Sequence, residues 1–358
     1  MIKNSEIKEY LEKKYKRKIS DLKIKKLGSG VLGTGYLIEF KITKNKKRLI
    51  LKSLIKEGFT HDYLSDRAAS LIRAHEDYNL MENHVKSEDV IANKDGRLTS
   101  IGNAKEFYIL MQEARGKDFF NDFDKIKKTK ILDSEIKKKI MNISDFLVKI
   151  HKKKHKSSSI YRRKMRETIS GNGSIIEMLD FHSDENFIRF EKKWFEILKQ
   201  IIRYWRISRN MDYRLCEVHG DFHPGNIWFE NEKLIILDRA RGRFGEPADD
   251  ITSFIINPIM YSLILNGKFD GPFKEMYDIF WNNYFKKTKD REMRKIIAPY
   301  LAFKIAIVTN PIIVSNNLYG GKEKAELIRE KLINLALNVA KDKEFSPEKI
   351  NYYLENSS

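Results

Sequence analysis

Four polar residues within one short stretch could act together: His219, Asp221, Asn226 and Asp238 in His-Gly-Asp-Phe-His-Pro-Gly-Asn-Ile-Trp-Phe-Glu-Asn-Glu-Lys-Leu-Ile-Ile-Leu-Asp. They sit at the ends of two apolar runs, Ile227 to Phe229 and Leu234 to Leu237. The turn-like Glu230-Asn231-Glu232 joins these runs, a pattern that predicts a small hairpin. A loop bearing a carboxylate and an amide, followed by a hairpin ending in a second carboxylate, can bring one base and two oxygen ligands to one point. Hard cations such as Mg²⁺ take such ligands, with phosphate supplying the rest. The chemistry implied is phosphoryl transfer from a nucleotide. A hydroxyl nucleophile would then lose its proton to Asp221. Asn226 would face the metal through its neutral carbonyl oxygen, and Asp238 would supply the charged ligand. His219 reads as a structural group that holds the loop by hydrogen bonds.

Such a site needs upstream elements that bind the nucleotide. Leu22, Ile24 and Leu27 alternate toward Gly28-Ser29-Gly30-Val31-Leu32-Gly33-Thr34-Gly35, and strand-like runs follow at Tyr36 to Ile42 and Arg48 to Leu54. Gly28, Gly30 and Gly33 match GxGxxG, a weak signal alone. Its dinucleotide form requires a helix after the glycines, and here a strand follows. The alternative is a hairpin whose backbone approaches phosphates, with a lysine on the next strand. Lys52 holds that position, so Gly28, Ser29, Gly30, Gly33 and Lys52 form the expected nucleotide-binding set. His61 to Met81 has helical spacing, and Asp66 is preferred over Glu76 as the carboxylate that orients Lys52. Val85 to Ala92 and Phe107 to Met111 read as two more strands. The sum is a five-stranded antiparallel sheet with one main helix over residues 1–113, opened by a short basic helix at 1–20. Gln112 to Asp118 suits a hinge (114–118), where backbone at Gln112 and Ala114 would meet a base edge.

Residues 119–358 read as a larger, mostly helical lobe, so the fold class is α+β and bilobal. Ile136, Ile140, Ile143, Phe146, Leu147 and Ile150 have helical period. Residues 156–185, rich in serine and broken by Gly171-Asn172-Gly173, read as a long excursion that shapes the acceptor site. Phe187 to Ile207 is expected to be a helix with Trp194, Leu198, Ile201 and Trp205 inward. Further helices are expected at 248–266, 272–287, 291–309, 322–341 and 347–354.

Composition bounds the class. Hydrophobic residues at 41% and charged residues at 33% describe a globular chain rather than a disordered one. The longest apolar stretches are interrupted, by Asn257 and Pro258 and by Lys304, Asn310 and Pro311, so neither suits a membrane span. The N-terminal residues show no secretory pattern, and a single cysteine, Cys216, suggests a reducing compartment; cytoplasmic is the expectation. The net charge of +19 reads mainly as a lysine-rich solvated surface. Its functional alternative is attraction to an anionic partner, for which nucleic acid is not favoured.

These motifs resemble the aminoglycoside phosphotransferase and choline kinase family, a branch of the protein-kinase-like fold. His-Gly-Asp-Phe-His-Pro-Gly-Asn is similar to that family's catalytic loop, and Gly245-Glu246-Pro247-Ala248-Asp249-Asp250-Ile251 to its following Gly-Asp-Pro-Ala-x-Asp-Leu segment. The resemblance spans roughly residues 20–340 and is most specific over 217–252. It implies ATP or GTP and Mg²⁺ as cofactors, with Asp221 as catalytic base and Asn226 and Asp238 on the metal. Lys52 would bind the phosphates, and Asp250 would be a buried acid tying the loop to the next helix. His223 stands where protein kinases carry lysine, and no long activation segment fits between Asp238 and Glu246. Both features suit a small molecule bearing a hydroxyl as the acceptor. After Asp238 comes Arg239-Ala240-Arg241-Gly242-Arg243 instead of Phe-Gly. His223, Arg239, Arg241 and Arg243 are therefore candidates for contacting an acceptor, an anionic one if the arginines serve it; the alternative is that they pair with nearby acids. An atypical protein kinase with a basic docking surface, or a non-catalytic nucleotide-binding module, are the other readings.

Overall fold

The computed structural model describes residues 3–29, 33–56, 61–80, 85–102, 104, 106, 109, 111–171, 173–239 and 241–355. The chain divides into two compact units, Met1–Met111 and Gln112–Ser358.

In the first unit, helix Asn4–Tyr15 buries Ile7, Tyr10 and Leu11, one face at i, i+3, i+4. Lys16 adopts left-handed backbone (φ 53°) and ends it, so this helix is shorter than the 1–20 expected. Strands Ile19–Ser29, Gly33–Ile42 and Asn45–Leu54 pair antiparallel in chain order. Ile38, Phe40 and Ile42 point inward at the period of two and join Ile19, Leu98 and the helix in one small core. Among the described residues the sheet has three strands, not the five expected, and Ile91–Lys94 and Arg97–Ser100 pair with each other. The segment before them is held by side chains instead of a ladder. Asp89 accepts hydrogen bonds from the Tyr10 hydroxyl (2.5 Å), Ser100 Oγ (2.9 Å) and the Gly102 amide (3.3 Å). Of the strand expected at Phe107–Met111, residues 107, 108 and 110 lie outside the described residues, and Ile109 and Met111 are in no strand. The helix expected from His61 is Leu64–Leu80.

The second unit is helical around one large core. Helix Ser134–His151 starts at Asp133, whose carboxylate accepts from the Ile136 amide at 2.9 Å, and buries Ile136, Ile140, Ile143 and Leu147. Helices Pro247–Asn266, Gly271–Thr288, Met293–Thr309 and Lys322–Lys341 follow where periodicity put them. Two small sheets are inserted: Lys117–Asp118, Ile227–Glu230 and Lys233–Ile236 in one, Cys216–Glu217 with Phe244–Gly245 in the other. Residues 156–185 are not an irregular excursion. They form helices Ser158–Ser170 and Ile175–Asp180, with Tyr161, Met165 and Ile175 buried. Two of the serines that suggested a loop are N-caps: Ser157 accepts from the Ile160 amide (3.2 Å), and Ser174 from the Glu177 amide (3.3 Å). Helix Asp184–Ser208 buries Trp194 and Ile201, but Trp205 is exposed rather than inward. Among the described residues no helix is long and apolar enough to cross a membrane.

Candidate active site

The hairpin expected after the central loop is present: Ile227 pairs with Ile236 and Phe229 with Leu234. Its register fixes the loop. The Leu237 amide donates to the Asn226 carbonyl at 2.9 Å, which brings Asp238 out of the strand directly beside Asn226. Asp238 itself has left-handed backbone (φ 55°), turning the chain away from the ladder and leaving its side chain exposed. The His219 ring adds a second tie, donating from Nε2 to the Leu237 carbonyl at 2.7 Å. That bond requires the proton on Nε2, so Nδ1 is free to accept from the Asp221 amide at 3.2 Å. The ring is 2% exposed and has no nitrogen left for a substrate.

Asp250, in the first turn of helix Pro247–Asn266, anchors the other side of the loop. Its fully buried carboxylate accepts from the His219 amide (2.8 Å), the Gly220 amide (2.7 Å) and His151 Nε2 (3.0 Å). The Tyr284 hydroxyl bonds His151 Nδ1 at 2.7 Å, completing the network. Burial opposes ionisation of Asp250, but these hydrogen bonds outweigh it and hold the carboxyl below its usual range. Gly220 takes φ 89°, and a side chain there would meet Arg241; the loop requires glycine at this position.

The loop is thus fixed from behind, while its front is unengaged. The Asp221 carboxylate, partly exposed, accepts no hydrogen bond among the described residues; His223 Nε2 lies 3.8 Å from it. Asn226 is buried and donates from Nδ2 to the Asp221 carbonyl at 3.0 Å. The amide is thereby oriented with its nitrogen toward the loop, and its Oδ1 has no partner among the described residues. No group of three or more His, Cys, Asp or Glu side chains capable of holding a metal occurs among them. One amide oxygen and one or two carboxylates are what Mg²⁺ takes from protein when a nucleotide supplies the remainder. Asn226 and Asp238 fit such an ion by donor type.

His223 accepts from the Gly225 amide at Nδ1 (3.1 Å), which places its proton on Nε2, toward Asp221. Burial, outweighing the Asp221 charge, pushes its pKa below the usual imidazole value, with Lys304 adding to the effect. The ring is neutral at pH 7. Of the three arginines, two are engaged structurally. Arg239 donates to the Val218 carbonyl (2.8 Å), the Arg243 carbonyl (3.0 Å) and Glu217 Oε1 (3.0 Å). Arg243 lies 3.7 Å from the same Glu217. Arg241 differs: its guanidinium stacks on Phe303 (4.7 Å), reaches the Gly173 carbonyl only at 3.4 Å, and its side chain packs against Gly220, next to Asp221.

In the first unit the sheet register aligns Gly28, Gly35 and Lys52 in one row across three strands. Cross-strand partners share a face, so exposed Lys52 stands beside two residues without side chains, and nothing lies within 4 Å of where their Cβ atoms would be. In the next row the Ser29 and Thr34 hydroxyls are 3.1 Å apart. Gly33 is needed for a different reason, since a Cβ would lie 2.1 Å from the Ser53 carbonyl oxygen. Gly30 lies outside the described residues. Lys52 forms no ion pair among the described residues. Asp66 accepts from the Tyr63 amide (2.7 Å) at the start of its own helix. Gln112 is exposed and Ala114 half-buried in a segment without regular structure.

Several supporting groups gave no sequence signal. His151 reaches Asp250 from another helix, and Glu217 gathers Lys153, Arg239 and Arg243. Glu246, 1% exposed, is held by Arg214 (2.6–3.1 Å) and the Tyr161 hydroxyl (2.7 Å). Only the Gly-Glu-Pro context hinted at Glu246.

No family model and no curated protein matches the chain. Solved structures to which it is similar include an aminoglycoside phosphotransferase, a thermostable mutant in its apo form (12% identity, 93% of this chain and 99% of that chain, TM-score 0.36). A spectinomycin phosphotransferase in complex with ADP and spectinomycin aligns at 15% identity over 97% of this chain and 99% of that one, TM-score 0.35. An ethanolamine kinase from Plasmodium vivax aligns at 13% identity over 93% and 80%, TM-score 0.31. Likenesses of this strength carry no argument about activity, which has to come from the residues themselves.

Proposed function

We propose that the chain is a Mg²⁺-dependent phosphotransferase moving the γ-phosphate of ATP or GTP to a hydroxyl of a small molecule. The observation that carries this reading is the two-sided loop. His219 and Asp250 fix its backbone, while the Asp221 carboxylate and Asn226 Oδ1 stay unengaged next to Asp238. Asp221 accepts the proton of the acceptor hydroxyl, and its weak contact with a neutral His223 leaves it free to do so. Asn226 and Asp238 hold the metal. When bound, Mg²⁺ neutralises charge on the phosphates and keeps them in line for attack. Lys52, flanked by Gly28 and Gly35, takes a phosphate oxygen. Backbone at Gln112 and Ala114 is proposed for the base edge. Arg241 gives the acceptor side a positive group, which favours neutral or anionic hydroxyl compounds over polycations.

Purified protein with labelled ATP and Mg²⁺, screened against sugars, amino alcohols, nucleosides and hydroxy acids, should label one class well above background hydrolysis. Asp221→Asn should lower that transfer by about 100-fold or more, the usual worth of a general base, with nucleotide affinity nearly unchanged. Wild-type turnover in Asp221→Asn would refute the assignment.

A further inference from the structure

One face of helix Asp184–Ser208 is built for something outside the described chain. The opposite face is core: Phe190, Trp194, Ile197, Ile201 and Tyr204 are buried. One flank is tied to helix Lys322–Lys341, through Arg189 with Glu326 and Lys193 with Glu330. The remaining face carries Ile188, Phe195 and Ile202 seven residues apart, with Trp205 a turn further on. They are 67%, 55%, 58% and 39% exposed. Water-facing positions of a helix rarely hold three large apolar residues in register, and a patch of this kind marks an interaction site; Trp205 lies off the row, at the edge of the buried face.

One flank of the row is basic, while Asp184 and Glu191 lie on its other side. Each apolar residue in the row is followed four positions later by a cation: Ile188 by Lys192, Phe195 by Lys199, Ile202 by Arg206. At about 100° per residue, that sets a basic row some 40° round from the apolar one, extended by Arg203. Lys199 has a 3.4 Å contact with Glu196, while Lys192, Arg203 and Arg206 have no ion pair among the described residues. A second copy docking antiparallel on this face would bring like flank against like flank, basic row on basic row. Nucleic acid would leave the aliphatic row unused. An anionic bilayer satisfies both rows: the isoleucines and Phe195 enter the acyl boundary, Trp205 sits at the headgroup level, and the basic row meets the phosphates.

We propose that this helix face docks the protein on anionic lipid membranes. The test is sedimentation of the intact protein with phosphatidylcholine vesicles that either contain or lack phosphatidylglycerol, at low and near-physiological salt. Wild type should sediment with the anionic vesicles only, more strongly at low salt. Lys199→Glu with Arg206→Glu should weaken partitioning by about tenfold or more. Phe195→Ser with Ile202→Ser should do the same by about tenfold. Because all four positions are exposed, unfolding midpoints should match wild type, and the charge pair tests the idea independently of the apolar pair. No sedimentation of wild type with anionic vesicles, or equal sedimentation of both variants, overturns the proposal. So does a wild-type dimer that Phe195→Ser with Ile202→Ser dissociates, since the face would then belong to a second copy.

Discussion

Replacing Asp250 by asparagine tests how the central loop is held. The carboxylate receives three donors: Oδ2 takes His151 Nε2 and the His219 amide, and Oδ1 takes the Gly220 amide. Asparagine has one acceptor oxygen. Its better orientation keeps that oxygen on the His151 side and turns its own amide hydrogens toward the Gly220 N–H. One buried donor is then unsatisfied, at about 1–3 kcal/mol, and two charge-assisted bonds become neutral ones, at roughly 0.5–1 kcal/mol each. Relief from burying a charge offsets part of this. The net loss should be about 2–4 kcal/mol, a large share of the roughly 5–15 kcal/mol typical of a domain. Urea unfolding at pH 7 measures it as a lower midpoint. Acid supplies a second readout. The folded Asp250 is held below its usual range, so its stabilisation is present above about pH 4 and is lost as pH falls through the lower folded value. The gap between wild type and Asp250→Asn should therefore narrow below about pH 4. Asp221→Asn is the control, because that carboxylate accepts no hydrogen bond among the described residues, and its midpoint should move by less than about 0.5 kcal/mol. An Asp250→Asn variant as stable as wild type, with a gap independent of pH, would refute this account of the loop.

Two further perturbations separate structure from chemistry. Arg214 is buried with two carboxylates on its guanidinium, Glu246 and Asp290; Arg214→Met should cost about 3–5 kcal/mol in urea unfolding because it leaves Glu246 buried and short of a cation. Asp238→Asn should leave that midpoint nearly unchanged, since the side chain is exposed. In the acceptor assay it should raise the Mg²⁺ needed for half-maximal rate by about tenfold or more, as expected for a lost charged ligand.

The local parts of the molecule were legible in the sequence. Alternating apolar residues gave the hairpin behind Asn226, and helical spacing gave the later helices to within a few residues. Where sequence reading went astray, a distant side chain had replaced a local rule. Val85 to Ala92 has strand composition, but of it only Ile91 and Ala92 lie in a strand, and Asp89 just before them is engaged through its side chain by Tyr10, Ser100 and Gly102. Serine-rich 156–185 looked like loop because Ser157 and Ser174 start helices instead of interrupting them. Trp205 has the same helical phase as Trp194, yet it lies at the edge of the buried face and stays 39% exposed. Pairing with a nearby acid holds for Arg239 and Arg243, whose acid is Glu217, on a two-residue strand whose pairing no periodicity announces.

The same contrast bears on the +19 charge. Several charges that the fold buries are matched inside it: Arg214 by Glu246 and Asp290, Lys304 by Asp249 at 2.8 Å, Lys139 by Asp122 at 2.9 Å, and Asp250 by His151 and two amides; Arg329 is met by neutral oxygens of Asn316 and Val314. The excess of 69 basic over 50 acidic residues therefore lies outside. Exposed pairs such as Lys41 with Asp21 add little to stability. The excess thus has small leverage on folding and large leverage on encounter, where a field of one sign concentrates anions near the surface. Most of it is spread over helix ends and turns, where it selects no particular anion. On helix Asp184–Ser208 it is ordered by register against an apolar row, and only a partner that is anionic and apolar at once satisfies both. Salt alone would weaken any cationic surface. Loss of binding on removing Phe195 and Ile202, with every charge kept, is therefore the result that separates this face from the rest.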